Sequence, residues 1–270
     1  MPHAATALPP AGTYCYAELG TPNTQLAALA QECALAISYN QLNQAVMMVS
    51  PHHLEDYLVG FSLGNGLIDS IDDIYEIELN GAKQHYDAQL HVSSRAFWQI
   101  KQQRRGLAGT SSCGLCGVDA LEQALPNLTP LPGAPLPAPW QLADLRERIH
   151  QHQQLARHSG ALHAALFVDE HGEIVLCRED IGRHNALDKL IGALARQRLN
   201  PTQGFAVVTS RCSLELLHKA VRAGLNTLVS LSAPTALTVD WARRHRLNLI
   251  HLPHHSTPRV YSPAPAEASL

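Results

Sequence analysis

The sequence predicts an α/β protein: a C-terminal domain on a mixed, largely parallel sheet, preceded by a smaller α+β domain. Three observations carry this. From His163 onward, short apolar runs alternate with amphipathic stretches of helical period, the pattern of strands joined by helices that cover a sheet. Between Cys33 and Ser93, strand-like alternation is interrupted by a single helical stretch. Between these regions lies PNLTPLPGAPLPAPW, with six prolines from Pro126 to Pro139, a composition that reads as an extended linker. The expected organisation is a poorly ordered segment (1–30), an α+β domain (31–125), a proline-rich linker (126–140), an α/β domain (141–262) and a tail (263–270).

The elements follow in order. Residues 1–30 are rich in Ala and Pro with little periodicity, so most of them receive no assignment. CALAISYN and QAVMMVS read as a β-hairpin. Ser50-Pro51 reads as a helix start, with a capping hydroxyl and Pro at the first helical position. Leu54, Leu58 and Phe61 give that helix an apolar stripe, and Gly64 and Gly66 close it. In IYEIELNGAKQHYDAQLHVS, Tyr75, Ile77 and Leu79 alternate with Glu76 and Glu78. This predicts a half-buried strand, with Asn80-Gly81 as its turn. SRAFWQIKQQRRG predicts a helix that leads into TSSCGLCG, and VDALEQAL a short helix after it. Beyond the linker, QLADLRERIHQHQQLARH predicts one helix. HAALFVDEHGEIVLCRE predicts two strands that turn at His171-Gly172. Helices over NALDKLIGALARQR, SLELLHKAVRAG and TALTVDWARRH then alternate with strands FAVVT, NTLVSLS and LNLIHL.

Composition sets limits. The chain has 270 residues, 46% of them hydrophobic and 16% charged, with a formal net charge of −3. That describes a folded globular protein with no bulk attraction to nucleic acid or acidic membranes. No basic and apolar leader opens the sequence and no apolar run reaches about 18 residues, so neither secretion nor a membrane span is expected. Six cysteines are too few for a disulfide scaffold in a chain of this length. A cytoplasmic setting is expected, where a CxxC is metal-binding or catalytic more often than structural.

Four loops share one context. REDIGRHN, TSRCS and SAPT each follow a strand and open a helix, and PHHSTPR follows the strand LNLIHL. Parallel strands would bring them to one edge of the sheet, where ligands of open α/β sheets bind. Helix N-termini there suit phosphate. Arg183, His184 and Arg211 add formal or potential positive charge, and Ser210, Ser213, Ser232 and Thr235 add hydroxyls. An anionic, phosphate-bearing ligand is expected; taken singly, each loop could be plain helix capping.

Cys113 and Cys116 stand two residues apart between glycines. A structural zinc site needs four ligands, and no second CxxC exists, although 16 histidines could supply partners in space. His53-Leu54-Glu55 matches the HxE of zinc deaminases, but Ser112 stands where their PC signature needs proline. A redox dithiol would open a helix directly after a strand, whereas this pair sits in a Ser-, Thr- and Gly-rich stretch that predicts a mobile loop from Gly106 to Gly117. An accessible thiol there also suits a carried group such as a persulfide. Cys33 and Cys177 read as small core residues. Cys212 is expected to be exposed in its loop, without a role.

TSSCGLCG, EDIGRHNALDKLIG, TSRCSLELLHKAVRAG and SAPTALTVDWA together closely resemble the FdhD/NarQ family of formate dehydrogenase accessory proteins. AVMMVSPHHLEDYLVGFSLGNGLI resembles that family's N-terminal block. The resemblance runs from about residue 32 to Tyr261 and implies more than the residues themselves show. It implies a sulfurtransferase that receives sulfur from a cysteine desulfurase and passes it to the bis-molybdopterin guanine dinucleotide form of the molybdenum cofactor. That cofactor is destined for formate dehydrogenase. It implies a persulfide on Cys113 assisted by Cys116, a homodimer, and a cytidine-deaminase-like three-layer C-terminal domain without deaminase chemistry. No resident metal is expected. The cofactor site implied by the resemblance and the loop reading together comprises Asp180, Gly182, Arg183, His184, Asn185, Ser210, Arg211, Ser232 and Thr235. It continues through the loop Leu252, Pro253, His254, His255, Ser256 and Thr257, with GDP as a fragment of the ligand. This chain departs from the family at Ser159-Gly160-Ala161-Leu162-His163, usually TGGxH, and at Cys212, usually a small residue. It also has His254 and His255 where the family's loop carries arginines. Histidine is mostly neutral at pH 7, so this loop is expected to bind phosphate more weakly or with a stronger pH dependence. The competing expectation is a non-catalytic cofactor-binding chaperone with a structural or zinc-binding CxxC.

Overall fold

The computed structural model describes residues 12–108, 126 and 128–265. Strands β1 (Thr13–Ala17) and β2 (Thr24–Ala28) pair as an antiparallel ribbon. Sequence pattern gave no account of it because almost every side chain is exposed and no apolar face repeats.

The N-terminal unit is a four-stranded sheet of order β4-β3-β6-β5, formed by β3 (Cys33–Tyr39), β4 (Leu42–Val49), β5 (Ile74–Ala82) and β6 (His85–Val92). The β3–β4 hairpin is as expected. Helix α1 (Leu54–Gly64) and helix α2 (Ser94–Ala108) carry core residues that pack on one face through Leu35, Ile37, Tyr57, Leu58 and Ile100. Three local expectations change. Ser50 does not cap α1; His53 is the N-cap, in a left-handed conformation. The β5–β6 turn falls at Lys83-Gln84 rather than Asn80-Gly81, with Ala82 opposite His85 and Lys83 at φ 60°. A bulge between Ile74 and Glu76 turns Tyr75 outward, 72% exposed, so Ile74 takes the core position expected of it.

The C-terminal unit is a six-stranded sheet of order β12-β11-β10-β9-β7-β8. Its strands are β7 (His163–Asp169), β8 (Ile174–Asp180), β9 (Gly204–Val208), β10 (Thr227–Ser230), β11 (Asn248–His251) and β12 (Arg259–Ser262). The sheet is mixed, but not largely parallel. Only β9–β10 and β10–β11 pair in parallel; the other three pairings are antiparallel. The last strand, β12, was not foreseen.

Helices α6 (Arg183–Arg196), α7 (Leu214–Arg222) and α8 (Ala236–Arg244) share a core with one face of this sheet. Helices α3 (Pro139–Leu142) and α4 (Leu145–His152) cover the other. The single helix expected over 141–158 is broken at Asp144, φ 50°, and again before α5 (Ala156–Ser159). The proline-rich segment is extended but fastened: Leu131 is buried and its N–H donates to His245 O at 3.0 Å. Asn248 Nδ2 donates to Ala134 O at 3.1 Å.

The two units meet where α1 crosses α6. A Cβ on Gly60 would run into Asp188 O, and one on Gly192 would run into Asp56 O. Glycine at both positions therefore lets the two backbones touch. Charges flank the crossing: Arg178 Nε lies 2.8 Å from Asp56 Oδ2, and Lys219 Nζ 2.7 Å from Asp188 Oδ1. No helix among the described residues is long and apolar enough to cross a membrane.

Candidate functional site

Because β7 is antiparallel to both β8 and β9, strands β8, β9, β10 and β11 all run the same way. Their ends, at Asp180, Val208, Ser230 and His251, therefore lie along one edge. The four loops gather there although the sheet is only partly parallel. Backbone bonds knit them: Leu231 N to Val208 O at 3.1 Å, and Leu252 N to Ser230 O at 2.9 Å. Ser230 Oγ donates to Ser232 O at 2.8 Å and lies 3.2 Å from Ser210 O.

Helices α6, α7 and α8 begin at this edge, after Gly182, Ser213 and Thr235. Thr235 closes a capping box with Thr238, so its hydroxyl is already engaged. The caps of α6 and α7 supply no such side-chain bond, which leaves first-turn N–H groups to other acceptors. Arg183 is half-buried, and its buried Nε has no hydrogen-bond partner among the described residues. Arg211 is exposed, and Ser210 is buried with its Oγ 3.1 Å from Arg211 O. His184 Nε2 lies 2.6 Å from Glu215 Oε2 and 3.2 Å from Ser213 Oγ. Burial pulls the His184 imidazole below its usual range; Glu215 opposes this, and Arg183 and Lys219 add to it. Neighbouring His163 is lowered by burial and then by Arg183.

Asp180 and Asn185 stand apart from the rest of the expected set. Asp180 is fully buried with its Oδ2 2.6 Å from Lys189 Nζ, and Asn185 Nδ2 donates to Asp180 Oδ1 and to Met48 O, both at 2.9 Å. Their polar groups are spent on the protein interior. The sequence could not show this, because Ser50 N and Met48 O, the partners that occupy them, lie 130 and 137 residues away.

The loop after β11 lines a cleft of about 630 Å³ through Leu252, Pro253, His254 and Ser256, facing α4. His255 and Thr257 are exposed beside it, and the His254 and His255 rings lie 5.3 Å apart. Sequence reasoning missed Arg146 in the facing wall. Its Nη2 donates to Leu231 O at 2.7 Å and its Nε to Leu252 O and Pro253 O at 3.2 Å, which ties the loops after β10 and β11 together. Within an amphipathic helix that also carries Arg148, Arg146 looks like any solvent-facing charge. His251, at the end of β11, is buried with Nδ1 unpartnered among the described residues; burial first, then Arg259 and Arg146, keep its imidazole below the usual range.

Cys113, Cys116 and the expected helix over 118–125 lie outside the described residues. The two stems of their segment are described. On α2, Gln103 Nε2 donates to Gly66 O at 2.8 Å, and Gly66 sits against Arg222 at the C-terminal end of α7. The returning chain is fastened at Leu131 to His245, just past the end of α8. Helices α7 and α8 start at the edge where the four loops gather, so both stems belong to the opposite edge. Cys113 follows Ala108 by five steps of the chain, a reach of at most about 17 Å, and a nine-residue helix such as α8 is about 13 Å long.

The other cysteines have simpler places. Cys33 and Cys212 are buried, Cys177 is half-buried and Cys15 is exposed. Burial pushes the Cys177 and Cys212 thiols up to about 12, so the expected exposure of Cys212 is corrected. In the deaminase-like triplet, His53 caps α1 and Glu55 pairs with Arg196. Among the described residues, Glu76, Glu78 and His91 bring three metal-ligating groups together, on the solvent face of the N-terminal sheet.

Residues 30–266 match the pattern that defines the FdhD/NarQ family. The sulfur carrier protein FdhD of Bordetella bronchiseptica is 37% identical over 234 residues, which covers 87% of this chain and 85% of that protein. The protein of the same name from Xanthomonas oryzae pv. oryzae is 41% identical over 235 residues, 87% of this chain and 83% of that one. A crystal structure from Desulfotalea psychrophila, described as a formate dehydrogenase accessory protein, superposes with a TM-score of 0.69. It covers 93% of this chain and 96% of its own at 21% identity, which establishes likeness of fold.

Proposed function

The chain belongs to the FdhD/NarQ family, and on that footing we propose that it is a sulfur carrier serving formate dehydrogenase. Its sulfur comes from a cysteine desulfurase and goes to bis-molybdopterin guanine dinucleotide bound at the ligand edge. The observation that supports this most is the gathering of four loops and three helix N-termini at one edge, around an arginine whose buried Nε has no partner among the described residues. Phosphates of a guanine dinucleotide suit such an edge, and the cleft beside Leu252–Ser256 has room for a flat heterocycle.

The chemistry belongs to Cys113 and Cys116. The Cys113 thiolate attacks the outer sulfur of the donor's persulfide; the donor S–S bond breaks and the donor leaves as a thiolate. Cys113 then carries S–SH. The Cys116 thiolate attacks the inner sulfur, forming a Cys113–Cys116 disulfide and releasing the outer sulfur as HS⁻. Two thiols are oxidised as that sulfur gains two electrons, and a thiol reductant resets the pair. HS⁻ is the species delivered to the molybdenum centre of the bound substrate. Because the stems of the donor segment lie at the far edge, delivery calls for Cys113 to extend along the molecule or to reach a second subunit of a homodimer. Helices on both faces of the mixed sheet support a deaminase-like layering.

Calorimetric titration with GDP tests the ligand edge. Binding that weakens in both Arg183→Ala and Arg211→Ala supports it; binding unchanged in both returns these arginines to the fold.

A further inference from the structure

We infer that Ser50, reaching over from the N-terminal unit, is a positioning residue for the first ligand loop. The inference rests on the ligand-edge reading above. The loop Asp180–Arg183 has few contacts of its own that could set its backbone. Its amides are held from outside: Ile181 N donates to Ser50 Oγ at 3.2 Å, and Gly182 N donates to Asp180 Oδ1 at 2.9 Å. Asp180 is itself oriented by Ser50 N, which donates to its Oδ2 at 2.9 Å, and by Lys189 Nζ at 2.6 Å. Lys189, with no exposed surface, also donates to Ser50 O at 2.9 Å. Asn185 adds the latch between Met48 O and Asp180 Oδ1. A Cβ on Gly182 would come within 2.7 Å of the Asn185 amide nitrogen, so the latch packs directly under the loop that presents Arg183.

The polar side chains of this set, Ser50, Asp180, Asn185 and Lys189, are all buried, while Ile181 and Gly182 are half-buried and Met48 contributes only its carbonyl. Buried polar groups that satisfy one another fix a single geometry, because breaking any bond leaves an unpaired group in low dielectric. The two units therefore make one binding surface. The C-terminal unit supplies the arginine, and the N-terminal unit, through Met48 and Ser50 at the exit of β4, sets the angle at which it is presented. Asp180 and Asn185 thus act on a ligand through the loop and not by touching it.

Ser50→Ala removes only the hydroxyl and leaves the backbone bonds in place. Ser50→Thr restores it, and the cavity of about 220 Å³ that Ser50 lines has space for the added methyl. Two readouts are compared with urea unfolding of the same proteins: GDP affinity by calorimetry, and amide exchange at Ile181 and Gly182 by NMR without ligand. Loss of one net hydrogen bond should weaken GDP binding about fivefold and speed exchange at Ile181 by a similar factor. Exchange elsewhere should stay within the small change in global stability, and Ser50→Thr should restore both values. Unchanged affinity and exchange in Ser50→Ala, or a uniform rise at all amides, would overturn the inference. Should the wild-type protein fail to bind GDP, the ligand reading falls, and local exchange at Ile181 still decides whether Ser50 sets the loop.

Discussion

Gly192→Ala tests whether the two units are one body. A methyl there would lie 1.8 Å from Asp56 O and 2.8 Å from Gly60 N. Real Cβ atoms stay beyond about 3 Å from such atoms, and both obstacles are backbone, so no rotamer change relieves the clash. Helices α1 and α6 must part by more than an ångström. Overpacking of this kind costs typically about 1–3 kcal/mol. The upper end applies here, because parting the helices also stretches the Arg178–Asp56 pair, whose side chains are only 13% and 6% exposed. With an unfolding slope of roughly 3 kcal/mol per molar urea for a chain of this size, about 3 kcal/mol lowers the midpoint by about 1 M. Gly60→Ala should cost a similar amount, and the double variant clearly less than the sum, since one separation accommodates both methyls. Urea titration followed by tryptophan fluorescence measures all three. An unchanged midpoint in Gly192→Ala, or strict additivity in the pair, would refute the close crossing.

Other consequences follow from the same structure. Arg183→Ala and Arg211→Ala should each weaken GDP binding by about ten- to a hundredfold, the worth of a charge-assisted contact of roughly 1.5–3 kcal/mol; calorimetry at fixed salt reads this. His218 is driven down to about 4 by burial, with Arg222 and then His245 adding. Its unfolded form protonates first as pH falls below 6.5, so its contribution is intact above that value and is lost between pH 6.5 and about 4. Urea midpoints at pH 7.5 and 5 should show a fall on acidification that shrinks in His218→Gln. Metal analysis of the purified protein should find no stoichiometric zinc; one zinc per chain, lost in Cys113→Ser, would favour the chaperone alternative.

Much of the fold is legible in local pattern, and the exceptions have physical causes. The β3–β4 hairpin and helices α6 to α8 follow from their own periodicity. The single helix expected over 141–158 fails because Asp144 adopts a left-handed conformation that nothing nearby in sequence demands. Asn80-Gly81 has a strong turn composition, yet the cross-strand partners Asp87 and Tyr86 hold both residues in the ladder. The gathering of the four loops at one edge was legible because strand direction is set by connections, which alternate in the sequence. The roles within that edge were not: Asp180 and Asn185 look like ligand residues until their bonds to Ser50 and Met48 are visible. Arg146 could not be singled out, because its carbonyl partners come from two loops brought together only by the sheet.

Sulfur loading is the central claim, and intact mass spectrometry reads it directly. The protein is incubated with a cysteine desulfurase and cysteine, desalted without reductant and weighed. The account predicts a gain of one sulfur in the wild type, its loss on adding a thiol reductant, and no gain in a folded Cys113→Ala variant. A wild-type protein that gains nothing, or a Cys113→Ala variant that gains the same sulfur, would contradict it.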